Sequence, residues 1–377
     1  MRTRRLLAAL LLALAAPAAA QEQPPKAPKA AKGDKAPRAD KAPKADKGEK
    51  AEKPYAPTPL FADDSVLHFT VIADYRGLAG QRDTMRSKPY PGTVRVAGDG
   101  GEKAVPVTLY TRGHFRLRPD RCSFPPLRLV FDKGTKGTPF DDQKALKLVT
   151  HCRDGSEEHE EYVLREYLAY RAHRLVTPAS FRTRLARVRY VRANDTSKVA
   201  ERWAFLIESE RELARRLGGR VLEAKNALFR DVAPDSAVGI AMWEYFLGNS
   251  DWSLSALHNV RLVQRSVDET LAVPYDFDFS GFVDTRYATP DPSLPIKTVQ
   301  ERLWRGPCPT AAAIAAATAP YLARRAELEQ VPLSLPIAGG WGERAQRFVR
   351  RFFDDVKDPE RFASMARSAR RGCPPSN

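Results

Sequence analysis

The chain has 377 residues, with 62 Lys and Arg against 46 Asp and Glu and a formal net charge of +16. Three arginines without an acid fall in the first twenty residues, and ten basic against six acidic residues fall in 21–55, which leaves +9 for 56–377. That surplus suits a phosphate-bearing ligand or an acidic partner, but no zinc-ligand spacing and no aromatic–basic RNA motif accompanies it, which argues against a nucleic-acid-binding protein.

The start of the chain has the pattern of a cleavable secretory signal peptide: basic Met1–Arg5, apolar Leu6–Ala16, then Ala18-Ala19-Ala20, with Gln21 the new N-terminus. The protein is therefore expected to be exported, to a periplasmic or extracellular location. The apolar run is short for a membrane span, and no cysteine follows it to carry a lipid. The alanine run at 311–317 meets Thr318 and Pro320 and reads as a soluble helix, so no transmembrane segment is expected after cleavage. Residues 21–55 repeat Lys, Ala, Pro and Asp and cannot build a core. They read as a disordered linker, or as a weak attachment to an anionic envelope polymer. Four cysteines in an exported chain imply two disulfides. Of three connectivities, Cys122 with Cys152 and Cys308 with Cys373 keeps each pair within its own part of the chain.

Residues 56–377 are long enough for two lobes, 56–207 and 208–377, in an α+β fold; a monomer is expected. Short β-rich runs at 66–72, 92–96, 105–111, 127–131 and 145–149 are separated by Gly, Pro and Asp turns. Leu164, Leu168, Ala172 and Leu175 make one apolar stripe on a helix over 157–176, which Thr177-Pro178 ends. Strands near 186–191 and 203–207 precede a short helix at 210–217, stopped by Gly218-Gly219. The run 236–247 is apolar nearly all round and predicts a deeply buried helix ending at Gly248. A strand pair follows at 258–263 and 270–275, then helices near 296–304, 310–328, 342–353 and 359–370.

Two segments carry chemistry. In the first, Gly248–Asn259, Asp251 sits in the loop after the buried helix and Asn259 returns on the adjoining strand. The second is Tyr275-Asp276-Phe277-Asp278-Phe279. If it is extended, Asp276 and Asp278 share one face and the aromatics anchor the other. Two close carboxylates need a proton or a cation between them, and a hard cation such as Mg²⁺ suits two carboxylates, an Asn carbonyl and phosphate oxygens. An Asp in such a loop can orient or deprotonate a hydroxyl.

In this order the motifs resemble the atypical protein-kinase-like fold, and within it the CotH-type spore-coat kinases. Arg112-Gly113-His114-Phe115-Arg116, Pro125–Phe131, Leu164–Tyr170, Ala204–Glu208, Asp251, His258-Asn259 and Tyr275–Asp278 carry the resemblance, which covers roughly residues 105–285. It implies a two-lobed kinase-like fold with a β-rich N-lobe and a mainly helical C-lobe. It also implies Asp251 as catalytic residue, Asn259, Asp276 and Asp278 as Mg²⁺ ligands, Arg128 or Lys147 on the ATP phosphates, and Glu166 orienting that cation. Ordinary kinases' Gly-rich loop and His-Arg-Asp triplet are absent, and Asp251 lies farther from Asn259 than in their catalytic loop.

The expected activity is Mg²⁺-dependent nucleotide binding and phosphoryl, or nucleotidyl, transfer to a protein or glycan hydroxyl. The alternatives are a non-catalytic envelope protein whose basic cleft binds an anionic polymer, and a metal-dependent phosphodiester hydrolase using the same carboxylates.

Overall fold

Alternation of apolar and polar residues between Leu67 and Ile207 rolls the first half of the fold into a closed barrel. The structure, a computed structural model, describes residues 55–83, 87–369 and 373; the expected signal peptide and all but the last residue of the expected linker lie outside these. After α1 (Pro59–Ala62) come β1 (Leu67–Ala73), α2 (Tyr75–Gly80), β2 (Tyr90–Gly98), β3 (Gly101–Thr111), β4 (Leu127–Val130), β5 (Ala145–Val149), α3 (Glu157–Val176), β6 (Thr183–Arg192) and β7 (Asp195–Ile207). The barrel order is β1-β2-β3-β4-β5-β7-β6, closed by parallel pairing of β6 with β1. Its other pairings are antiparallel.

Inward residues of period two fill the barrel: Phe69 and Val71, Val105 and Val107, Leu127 and Leu129, Leu146 and Leu148, Ala204 and Leu206. At the end nearest α3 the outer face is buried too, because Leu185, Phe205 and Ile207 join the core built on that helix.

The remaining elements are α4 (Glu210–Arg216), β8 (Arg220–Leu222), α5 (Pro234–Leu247), β9 (Val260–Gln264), β10 (Thr270–Pro274), α6 (Ala311–Ala323), α7 (Arg325–Gln330), α8 (Trp341–Val356) and α9 (Pro359–Ser368). Strands β10, β9 and β8 form a small sheet in this largely helical half. The architecture is thus α+β and broadly two-lobed. Among the described residues no helix is long and apolar enough to cross a membrane. The two disulfides are Cys122–Cys152 and Cys308–Cys373.

Three local expectations are corrected. No helix forms over 296–304. There the Glu301 carboxylate takes the Lys297 and Thr298 amides, and Arg302 is drawn to the carbonyls of Tyr245, Phe246 and Phe348. Gly281 admits this strap: a Cβ there would stand 2.1 Å from the Val299 carbonyl oxygen. The helix expected over 310–328 breaks at Arg324 into α6 and α7, four residues after Pro320, whose missing amide proton weakens the last turn. Helix α3 has no single apolar stripe. It is wedged between barrel and C-terminal half, so Arg165, Glu166 and His173 are buried with the apolar residues while Leu175 is only half-buried.

Helix α3 also carries a titration penalty. His173 lies flat against Trp243 at 4.1 Å, and burial pushes its pKa from 6.5 down to about 3. A base with a depressed folded-state pKa gives stability that is present above 6.5 and lost as pH falls toward 3, because only the unfolded chain takes the proton. In urea unfolding at pH 7 and pH 4.5, His173→Phe is expected to lose less stability than the wild type. The difference should approach ~1.4 kcal/mol per pH unit; equal losses would show that His173 is protonated in the folded state.

Candidate functional site

The buried helix α5 ends as Gly248 turns left-handed (φ 62°), and the chain beyond it is tied down residue by residue. Asn249 donates from Nδ2 to the buried Glu244 carboxylate (2.8 Å), and its Oδ1 receives the Asp251 amide (3.0 Å). Arg305 grips the flanking carbonyls of Ser250 and Trp252. The Asp251 carboxylate, half-exposed, meets His258 Nε2 at 3.0 Å through Oδ1 and accepts from Asn259 Nδ2 at 3.2 Å through Oδ2. Asn259 Nδ2 also donates to the Asp251 carbonyl (2.7 Å), which leaves its Oδ1 without a hydrogen bond. Asn259 holds a left-handed φ of 56°, a conformation Asn tolerates better than most residues.

The Tyr275–Phe279 segment corrects the expectation of an extended strand. Strand β10 ends at Pro274, and Asp276 turns left-handed with φ 66°. Its amide donates to the Tyr170 hydroxyl of α3 (2.8 Å), and Phe277 is fully buried against Tyr170, His173 and Trp243. The aromatics do not share a face. Tyr275 turns toward Lys147 and Arg261, while Phe279 meets Phe115 and Tyr287.

Asp276 and Asp278 nevertheless act on one another electrostatically. Burial, then the charge of Asp276, pushes the Asp278 carboxyl up to about 7, although Tyr287 donates a hydrogen bond to its Oδ2 (2.9 Å). Asp251 adds a weaker repulsion. Glu166 reaches the same space from α3. Burial, then Asp278 and Asp276, raises its pKa well above 4.5, and its Oε1 is buried without a hydrogen-bond partner. Four of the expected residues are therefore linked by charge, and Asn259 joins them through Asp251.

The expected cations are arranged differently. Arg128 is the register partner of Lys147, but its side chain is exposed and lies over the Tyr110 ring, making no ion pair with the carboxylates. Lys147 bonds Glu210 of α4 (3.0 Å) rather than Glu166. Arg261 reaches the same Glu210 oxygen (2.8 Å), and the two cations flank Tyr275, each 4.7 Å from its ring centre. The positive charge opposing Glu166 comes from Arg116 and Arg112, and Arg116 also opposes Asp278. Both guanidinium Nε atoms are buried without a hydrogen-bond partner. Arg116 is steered by the Thr150 carbonyl, two residues before Cys152 of the Cys122–Cys152 disulfide. The cationic role falls to Arg112 and Arg116 and not to the expected Arg128 or Lys147. The signal was two arginines four apart in the loop that leaves a strand.

Among the described residues, no group of three or more His, Cys, Asp or Glu is arranged to hold a metal ion. The protein offers Asp276, Asp278 and the free Oδ1 of Asn259. Those donors are too few for an all-protein cage, and a cation there would have to take most of its oxygens from water and phosphate. The mutual repulsion around Asp278 and the unpartnered Glu166 oxygen are the features such a charge would relieve. No protein-family model matches the chain, and no curated protein is found as a relative.

The repulsion has a stability consequence. Glu166 has a raised folded-state pKa, so its contribution is fully present below the ordinary value of 4.5 and is lost as pH rises through the folded value. Glu166→Gln is therefore expected to be more stable than the wild type at pH 8 without added metal. Its advantage should shrink toward pH 5, at ~1.4 kcal/mol or less per pH unit. A constant difference measured by urea unfolding across this range would mean that Glu166 is ionised throughout.

Proposed function

We propose that this chain is a kinase-like phosphotransferase of the CotH type. In this reading it binds a nucleoside triphosphate with Mg²⁺ between barrel and C-terminal half, and transfers a phosphoryl group to a protein or glycan hydroxyl. What supports the proposal is the geometry of two loops: Asp251 is bound by His258 and Asn259, and buried Asp278 follows Asp276 in the loop tied to Tyr170, with Glu166 buried on the same helix as Tyr170. The chain order supports it: a strand with a half-buried Lys147, a helix with Glu166, then Asp251, Asn259 and the Asp276–Asp278 loop.

Asn259, Asp276 and Asp278 would hold Mg²⁺, which when bound neutralises phosphate oxygens and aligns them for displacement. Arg112 and Arg116 would contact the polyphosphate in the place first expected of Arg128, their forked donors matching its oxygens. Glu166 makes no hydrogen bond to these arginines and would act on them through charge alone, while Lys147 is held by Glu210. Lys147, Arg261 and Tyr275 form a wall joined through Glu210. Asp251 is fixed by His258 and Asn259 with its carboxylate at the surface, where an acceptor hydroxyl can reach it. The acceptor oxygen bonds the γ-phosphorus, the bond to the β-bridging oxygen breaks, the nucleoside diphosphate leaves, and the acceptor's proton passes to Asp251.

Calorimetry with Mg²⁺ and ATP, paired with mass spectrometry for self-phosphorylation, tests this on the full chain. Asp276→Ala is expected to abolish Mg²⁺-dependent binding. Asp251→Asn is expected to keep binding while transfer falls by about 10²-fold or more. Failure of the wild type to bind, or unchanged binding in Asp276→Ala, would overturn the reading. Salt-sensitive polyanion binding that survives both substitutions would favour the polymer-binding alternative, and metal-dependent cleavage of a phosphodiester the hydrolase.

A further inference from the structure

A cavity of about 580 Å³ lies between α3, α5, α6 and β10, and none of Asp251, Asp276, Asp278 or Glu166 lines it. Its size is that of a small-molecule site. The stacked His173 and Trp243 and apolar residues such as Val238 and Leu271 line it, while Ala316 and Ala317 of α6 contribute only methyl groups.

Gly239 also lines the cavity, from the interior of α5. Glycine is among the poorest residues for a helix interior. The usual reasons for keeping one are absent: Gly239 has no left-handed φ, and a Cβ built on it would meet no atom within 4 Å. The space beside it is not required by the packing of this protein. A second cavity shares Val238 and Ala313 with the first and reaches Val267, an apolar side chain 90% exposed. The two cavities are thus neighbours along α5.

Three charged residues also line the first cavity. Arg216 is engaged by Glu208 and by the Pro178 and Ser180 carbonyls. Arg265 gives only Nη1 to Glu269 and keeps its other guanidinium edge free at a half-exposed position. Asp235 is the acid in the lining. An anionic group finds an available partner at Arg265, and an apolar tail finds Gly239 and the alanines.

We infer that this cavity binds a single-chain amphiphile with an anionic head group, the chain running past Gly239 and the head at Arg265. The proposal stands apart from the phosphotransferase reading and does not need it. Decanoate, titrated into the full chain by calorimetry below its micellar concentration, is expected to bind saturably at one site. Gly239→Leu should weaken it at least tenfold without lowering the melting temperature, and Gly239→Ala, which adds one carbon to a helix, should weaken it severalfold. Arg265→Ala should weaken decanoate at least threefold and leave competition by decan-1-ol unchanged. Lack of saturable binding by the wild type, wild-type affinity in both Gly239 variants, or equal effects of Arg265→Ala on acid and alcohol would each overturn it. Binding lost in Asp276→Ala but kept in Gly239→Leu would move the ligand to the carboxylate cleft, and would overturn it too.

Discussion

Phe277 sits where three parts of the chain meet, and the candidate site depends on its burial. Its ring lies 4.6 Å from Tyr170 and 5.7 Å from Trp243, with His173 beyond. It thereby fastens the loop after β10 to α3 and to α5 at once. Burying such a ring is worth about 1.5–3 kcal/mol, and losing it from a packed interior costs about 3–5 kcal/mol. The chain pays for two crowded carboxylates with the aromatic residue between them. Because Phe277 points into the core and Asp276 turns left-handed, Asp276 and Asp278 are held together without a strand to alternate them.

Hydrogen bonds then hold what burial alone would scatter. Tyr170 receives the Asp276 amide, Tyr287 donates to the Asp278 carboxylate, and Thr285 donates to the Asp278 carbonyl. On the other side, Arg305 and Asn249 fix the loop that presents Asp251. These contacts set geometry but do not cancel charge. Arg112 and Arg116 stand close enough to lower the carboxyl pKa values, yet burial and mutual repulsion win at Glu166 and Asp278. Both groups therefore hold their protons to higher pH than an ordinary carboxyl does.

Much of this was legible in the residues. The bounds of α3 and β5 were legible, since Thr177-Pro178 stops the first and the second is a short β-rich run, although the stripe expected of α3 was not the face it buries. The disulfide partners followed from keeping each pair within its part of the chain. What escaped depended on tertiary partners. The segment 296–304 has helical spacing, but Arg302 and Arg305 are drawn instead to carbonyls of other segments. The candidate residues Asp251, Asn259, Asp276 and Asp278 were visible from their types and order. The cations were not, since whether Arg128, Lys147 or Arg112 faces the carboxylates depends on the path of the loop between β3 and β4 and on its disulfide. Gly239 carried a local signal, a glycine inside an apolar helix, whose meaning emerges only when nothing is found to fill the space beside it.

The cavity and the carboxylate loop are separated by a single aromatic layer. His173 and Trp243 line the cavity, and the same two rings contact Phe277. The layer is close-packed: Trp243 also stacks on Phe246 at 5.3 Å, and Phe246 meets Tyr321 of α6 at 5.4 Å. In an interior of this density a ring cannot shift without moving its neighbours. The wall of the cavity and the anchor of the Asp276–Asp278 loop are therefore one set of packed rings.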